Sequence, residues 1–381
     1  MTLQKKSYDL VVIGGGIFGL WVAKHAVDRG LRVMVAEKEH IGAGASGGLL
    51  GALMPYLPTG WKEKKQFQFD ALSELPTLVK LLEEETGLST GYGQVGRLMP
   101  IRTDHFVKTA DDLAKASKEM WHQGGLAFDF APHQDHRFEN WLSPDHAPLG
   151  YVLDTLAARV HPRNYLKVLA KYLESRATIQ TGFAFEKFED GVASFNQGRE
   201  TVSTGSLVLA QGYQTFSYLE QTHNIDIGTG IKGQAAHFEL QVEAGMPVVY
   251  DDGVYIVPHD NGTCAVGSTA EKTWSNPTQP DLSVTDFIDK AFMICPRLKD
   301  SRLIERWAGV RPKCYERESV IGQLFDDQPI YLATGGFKIS FGLAHRLSEA
   351  LVDEIVGRES RINLPSVFTT KHHLEKAGNE S

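Results

Sequence analysis

Gly14-Gly15-Gly16-Ile17-Phe18-Gly19 reads G-x-G-x-x-G. It follows a β-branched run and opens a stretch of helical spacing, the context in which such a loop cradles a dinucleotide pyrophosphate. Gly14 permits the tight turn, Gly16 lets the backbone approach the phosphates, and Gly19 lets helix and strand pack closely. The free N–H groups at the helix start would then face the phosphates. Glu37 stands 23 residues beyond Gly14. A carboxylate there accepts hydrogen bonds from the two ribose hydroxyls of an adenosine and repels a 2′-phosphate, so NADP is not expected.

The loop alone suits NAD and FAD equally. Two further segments favour FAD. Ala43-Gly44-Ala45-Ser46-Gly47-Gly48 is a run of small residues that suits a chain lying against a long ligand, with Ser46 offering a hydroxyl. Thr334-Gly335-Gly336-Phe337-Lys338-Ile339-Ser340-Phe341-Gly342 leads into the last long helix. A helix N-terminus there could face the flavin pyrimidine edge, where negative charge gathers on reduction, and Lys338 could add to it.

The elements that must position these residues are legible from periodicity. Tyr8 to Ile13 predicts a strand buried on both faces, Ile17 to Arg29 a helix, and Leu31 to Ala36 a second strand. This β-α-β order implies a parallel pair with a right-handed crossover. Lys64 to Thr86 predicts an amphipathic helix that Pro76 should kink and Gly87 should end. Helices are also expected over 103–119, 161–175, 281–294 and 343–356. Ile231 to Val242 and Met246 to Gly267 alternate apolar and polar residues between Asp-Asp-Gly and Asp-Asn-Gly turns, as antiparallel strands do.

A length of 381 residues predicts two packed units. The fold class expected is α/β: a Rossmann-type nucleotide domain interleaved with an α+β domain carrying a mostly antiparallel sheet. The nucleotide domain would take 1–90, 152–230 and 306–370. The second would take 91–151 and 231–305, with 371–381 as a flexible tail. A ligand would sit in the cleft between them.

A net charge of −8 leaves no broad basic field, so generic nucleic-acid or anionic-membrane binding is not expected. The one small basic cluster is Lys62, Lys64 and Lys65, read as a solvated loop or helix end. Three scattered cysteines argue against a disulfide framework and a structural zinc site, and fit a reducing, cytoplasmic setting. Lys5 and Lys6 precede the apolar run Leu10 to Ala23, which holds four glycines and falls short of the about 20 residues a membrane span needs. His133 and His136 with Asp135 have a spacing seen in metal sites, yet nothing nearby completes a ligand set, so no metal is expected.

Taken together, these residues resemble the FAD-dependent amine and amino-acid oxidoreductases of the D-amino-acid oxidase superfamily, with its glycine oxidase, sarcosine oxidase and D-amino-acid dehydrogenase branches. The ordered set carries the resemblance across nearly the whole chain. It comprises the glycine fingerprint with Glu37, Ser46-Gly47-Gly48, Arg159-Val160-His161-Pro162 and Leu207-Val208-Leu209-Ala210-Gln211-Gly212. It continues with Lys232-Gly233-Gln234, Tyr255-Ile256-Val257-Pro258, Val266 to Glu271, Trp307-Ala308-Gly309-Val310-Arg311-Pro312 and Ile321-Gly322.

The resemblance implies roles. Arg311 would grip a substrate carboxylate with its guanidinium fork, Tyr255 would help hold it, and Lys338 would stand beside the flavin. Lys38, Ala45, Gly51, Ala52, Leu53, Ala210 and Gly212 would join the fingerprint in holding FAD, together with Gly335, Gly336, Phe337 and Ile339. Main-chain groups near Gly182 to Ala184, Phe183 among them, would hold the adenine side. The resemblance also implies oxidation of the Cα–N bond of glycine, sarcosine or a D-amino acid by hydride transfer to flavin N5. Electrons would then pass to oxygen, a quinone or an electron-transfer partner.

There are departures. The usual Thr-Gly-His reads Thr334-Gly335-Gly336 here, which removes an imidazole. Cys314 does not align with the cysteine that attaches flavin in the sarcosine branch, so non-covalent FAD is expected. Gly47 to Pro55 also resembles the oxidase domain of a tRNA-modifying enzyme, a reading the acidic balance opposes.

Overall fold

The computed structural model describes residues 7–135 and 137–378. Lys5, Lys6 and His136 therefore lie outside the described residues. The expected β-α-β unit forms as β1 (Ser7–Ile13), α1 (Ile17–Asp28) and β2 (Val33–Glu37). β1 pairs in parallel with β2 and with the strand Glu200–Leu209. The strands Thr178–Thr181 and Gln328–Thr334 extend the parallel sheet on either side. Leu10, Val11 and Val12 are fully buried because both faces of the sheet are covered.

The second sheet has eight strands. Its order is Arg302–Cys314, Gly228–Glu239, Thr263–Gly267, Val254–His259, Val248–Asp251, Arg97–Pro100, Tyr151–Asp154, Phe130–His133. Every pairing is antiparallel except that of Val248–Asp251 with Arg97–Pro100. Residues 152–154, 228–230 and 306–314 belong to this sheet, where the sequence assigned them to the nucleotide domain. The cause is strand length. Arg302–Cys314 stays paired with Gly228–Glu239 over its whole run, so neither strand breaks at a sequence punctuation mark.

α2 (Glu63–Thr86) contains Pro76, and Gly87 caps it in the left-handed conformation. Residues 370–378 form a helix, not a flexible tail. His373 is buried, its Nε2–H donating to Val367 O at 3.1 Å, and Thr370 Oγ1 donates to Gly322 O at 3.0 Å, so the segment is docked on the body. The helix Gln214–His223 was not expected from the sequence. No helix among the described residues is long and apolar enough to cross a membrane.

Candidate FAD and substrate site

A cavity of about 940 Å³ opens at the carboxy ends of the parallel strands. That is near the top of the roughly 300–1,000 Å³ range of small-molecule sites. The parallel topology dictates its position, because strand ends and helix starts meet there.

The glycine loop folds as its spacing requires. Gly14 has φ 110°, and a Cβ on it would stand 2.5 Å from Ala210 O. A Cβ on Gly19 would overlap the Gly14 carbonyl oxygen. Gly19 serves the packing from behind the wall, whereas Gly14, which also makes the turn, lines the cavity with Gly16, Ile17 and Phe18. No side chain caps α1 at its Gly16 N-cap, and the Ile17 N–H donates to Ser46 Oγ at 3.1 Å. Glu37 accepts from Gly15 N–H at 2.7 Å and from Glu39 N–H at 2.9 Å. Each oxygen keeps a second lone pair for a ligand hydroxyl.

Lys38, Ala45, Ser46, Gly51, Ala52, Phe183, Ala184, Ala210 and Gly212 all line the same cavity, as do Phe337, Lys338 and Ile339. Gly19, Leu53, Gly335 and Gly336 stand behind its wall. Leu53 is buried in a two-stranded ribbon with Ala158. A Cβ on Gly335 would overlap Cys314 Sγ, and one on Gly336 would overlap Ser340 Oγ, so these positions set backbone path and not contact. Phe337 adopts φ 43°, held by its N–H on Pro312 O at 2.9 Å. The helix Ser340–Ile355 then begins without a side-chain cap, so a second helix N-terminus opens on the cavity wall. Two uncapped helix starts and one carboxylate match the charge pattern of a flavin dinucleotide.

Arg311, Tyr255 and Lys338 converge on this cavity from two strands and a loop. Arg311 Nη1 donates to Thr269 O at 3.1 Å. Its guanidinium lies over Gly233, where any Cβ would overlap it. The Phe337 ring stands 6.0 Å from Arg311 Cζ and 5.7 Å from Lys338 Nζ, and Lys338 Nζ lies 5.9 Å from the Tyr255 ring. Neither Arg311 nor Lys338 forms an ion pair with a carboxylate of the described residues. Burial lowers Arg311 to about 10, against the opposing pull of Tyr255 and Glu271, and it remains charged. Lys338 is exposed to the cavity, and partial desolvation there, then the neighbouring Arg311, lowers it to about 8. Burial, then Tyr250, raises Tyr255 to about 12, so its hydroxyl stays a donor.

The cavity also takes in residues that the sequence reading did not single out. Gln214, Ser217, Tyr218 and Gln221 form one polar face of the helix Gln214–His223, an i, i+3, i+4, i+7 stripe that could have signalled it. Trp307 and Ser268, from the Trp-Ala-Gly-Val-Arg-Pro and Val266 to Glu271 segments, also line the cavity. Pro277 and Thr278 come from an irregular loop with no motif. Among the described residues no group of three or more His, Cys, Asp or Glu is placed to hold a metal.

The same architecture recurs in solved structures. Glycine oxidase from Geobacillus kaustophilus superposes with a TM-score of 0.81 at 20% identity, covering 96% of this chain and 98% of that one. L-proline dehydrogenase from P. horikoshii gives 0.80 at 21% identity, covering 98% and 99%. At such identities the likeness shows the fold. In sequence, the glycine oxidase of Bacillus licheniformis is 23% identical over 360 residues, spanning 93% of this chain and 94% of the relative. The family model for FAD dependent oxidoreductase matches residues 9–350. The chain belongs to that family and is an FAD-dependent oxidoreductase.

Proposed function

We propose that this enzyme oxidises the Cα–N bond of a small amino acid or N-alkyl amino acid. The observation that carries the reading is Arg311, a half-buried guanidinium facing the cavity with no carboxylate ion-pair partner among the described residues. A partly desolvated cation without a counter-ion is costly, so the site favours an anionic ligand. The glycine oxidases among its relatives are named for an amino acid, which offers such a carboxylate.

FAD would be held without a covalent bond. The glycine loop, Ser46 and Glu37 would take its nucleotide half, and the segment Phe337 to Ile339 its ring end. Cys264, Cys295 and Cys314 are all buried and none lines the cavity. When bound, the flavin supplies a two-electron acceptor for the hydride leaving the substrate Cα.

The chain's own residues do the aiming. Arg311 holds both carboxylate oxygens through its planar fork, and the protonated Tyr255 hydroxyl donates to one of them. Fixing that end of a small molecule fixes the direction of its Cα–H. Lys338 adds positive charge beside the same carboxylate. Trp307, Phe337 and Ala235 keep the wall apolar and exclude water. The imine product is hydrolysed by water to a 2-oxo acid and ammonia or an amine.

Anaerobic mixing of the FAD-loaded enzyme with glycine, sarcosine, proline and small D-amino acids tests the reading. At least one should bleach the flavin within the dead time of a turnover assay. Bleaching by none would sink it. Peroxide release on admitting air then separates oxygen from a quinone or protein acceptor.

A further inference from the structure

Lys232 is only 2% exposed, yet it lies on the face of its strand opposite the substrate cavity. Ile231 is the cross-strand partner of Arg311, so Ile231 and Gly233 share the Arg311 face while Lys232 and Gln234 point the other way. There Lys232 Nζ meets Asp281 Oδ2 at 2.7 Å and Glu271 Oε2 at 3.7 Å. Gln234 Nε2 donates to Glu271 Oε1 and to Asp281 Oδ1, both at 2.8 Å, and its Oε1 accepts from Asp281 N–H at 2.8 Å. The backbones of Lys232 and Glu271 exchange two hydrogen bonds, at 3.0 and 2.9 Å.

These contacts tie residues 271 and 281 together, so the loop between them is closed at its base. The loop supplies Pro277 and Thr278 to the cavity wall. Its N-terminal approach carries Thr269. The Thr269 hydroxyl accepts from Gln234 N–H at 3.0 Å and donates to Glu271, and its carbonyl takes Arg311 Nη1. A continuous chain of bonds therefore runs from Lys232 through Glu271 and Thr269 to the guanidinium. After Tyr255, the Glu271 carboxylate also acts electrostatically on Arg311, favouring its charged form.

We infer that Lys232 is a positioning residue for Arg311. It closes the 271–281 loop, fixes the Thr269 carbonyl that orients the guanidinium, and neutralises the Glu271 carboxylate that would otherwise compete for it. The inference rests on the carboxylate reading of Arg311. Without Lys232, two carboxylates are left facing one another, the base of the loop loosens, and Glu271 offsets the charge meant for the substrate.

The probe is benzoate, an unreactive monocarboxylate, titrated into the full-length FAD-loaded enzyme and followed by the visible flavin spectrum. Lys232→Met is expected to weaken benzoate about tenfold with FAD affinity close to wild type. Lys232→Arg should restore most of the loss. In an Arg311→Lys background, whose compact ammonium cannot use the fork geometry, Lys232→Met should add no more than about twofold. Trypsin should cut after Lys272 faster in the Lys232→Met protein, a readout independent of flavin. If Lys232→Met does not fold, Asp281→Asn on a half-exposed side chain carries the same prediction at smaller size. Wild-type benzoate affinity in the folded variants, or equal losses in both backgrounds, overturns the inference. Should Arg311→Ala bind benzoate normally, the carboxylate reading fails and this inference with it. Loss of binding in Arg311→Ala with none in Lys232→Met defeats the Lys232 role alone.

Discussion

Arg311 and Lys338 put two positive groups into one wall, and their difference in chemistry separates their roles. Guanidinium keeps its charge at any working pH, whereas an ammonium lowered to about 8 does not. Arg311→Ala should therefore cost about 3 to 4 kcal/mol of transition-state binding, a fall of roughly 10²–10³-fold in kcat/KM. Steady-state kinetics on the best substrate of the panel checks it. Lys338 is charged below about pH 8 and neutral above, so benzoate affinity should fall severalfold as pH climbs from 7 to 9. Lys338→Met should bind more weakly at pH 7 and lose that pH dependence; a persistent slope would assign the titration to another group. Arg311 was legible because its Trp-Ala-Gly-Val-Arg-Pro string is distinctive. Its dependence on Gly233 was not, since the clearance arises between two strands some eighty residues apart in sequence.

At the scale of elements, the cavity is the meeting place of two uncapped helix starts. α1 enters through Gly14 to Gly19 and borrows Ser46 for its Ile17 N–H. Because a Cβ on Gly19 would overlap the Gly14 carbonyl oxygen, Gly19→Ala must push α1 off β1. Purified Gly19→Ala should carry well under half the wild-type flavin, read from the ratio of visible to protein absorbance. Full occupancy would contradict the packing role. The β-α-β unit was legible because its strands are continuous apolar runs and its glycines have fixed tasks. Gln214–His223 was not, because its buried residues are few (Thr215, Phe216 and Leu219) and its polar face turns toward the cavity instead of solvent. A helix that lines a ligand site on its polar side inverts the usual pattern.

The whole molecule is joined across a seam between its two sheets. Arg163 forms a two-pronged pair with Glu305 at 2.7 and 2.9 Å and donates to Gly47 O at 2.9 Å, linking three elements. Beside it, His161, His237 and His259 cluster with ring centroids 4.9 to 6.3 Å apart. His259 Nε2–H donates to Leu49 O at 3.1 Å, which leaves its buried Nδ1 without a partner. Burial, then the neighbouring His237 and Arg163, lowers His161 to about 4; burial, then His161, lowers His259 to about 3. Both are neutral when folded but titrate near 6.5 once unfolded. The unfolded chain therefore binds more protons below pH 6.5, and stability present above that value is lost as pH falls toward 4. Urea midpoints should drop between pH 7 and 5, and the drop should be smaller in His259→Gln, which keeps a donor for Leu49 O. Equal slopes would exclude the cluster as its source. The interleaved order of the two units was legible from the alternation of textures along the chain. The seam was not, because His161, His237 and His259 are scattered over about a hundred residues and only the packing of the two sheets brings them together.

The measurement that bears most directly on the account is anaerobic flavin reduction by small amino acids in wild-type and Arg311→Ala enzyme, side by side. The account predicts fast, saturable bleaching of the wild type by at least one amino acid, and bleaching of the variant slowed at least a hundredfold at subsaturating substrate. Bleaching at the same rate in both would contradict it.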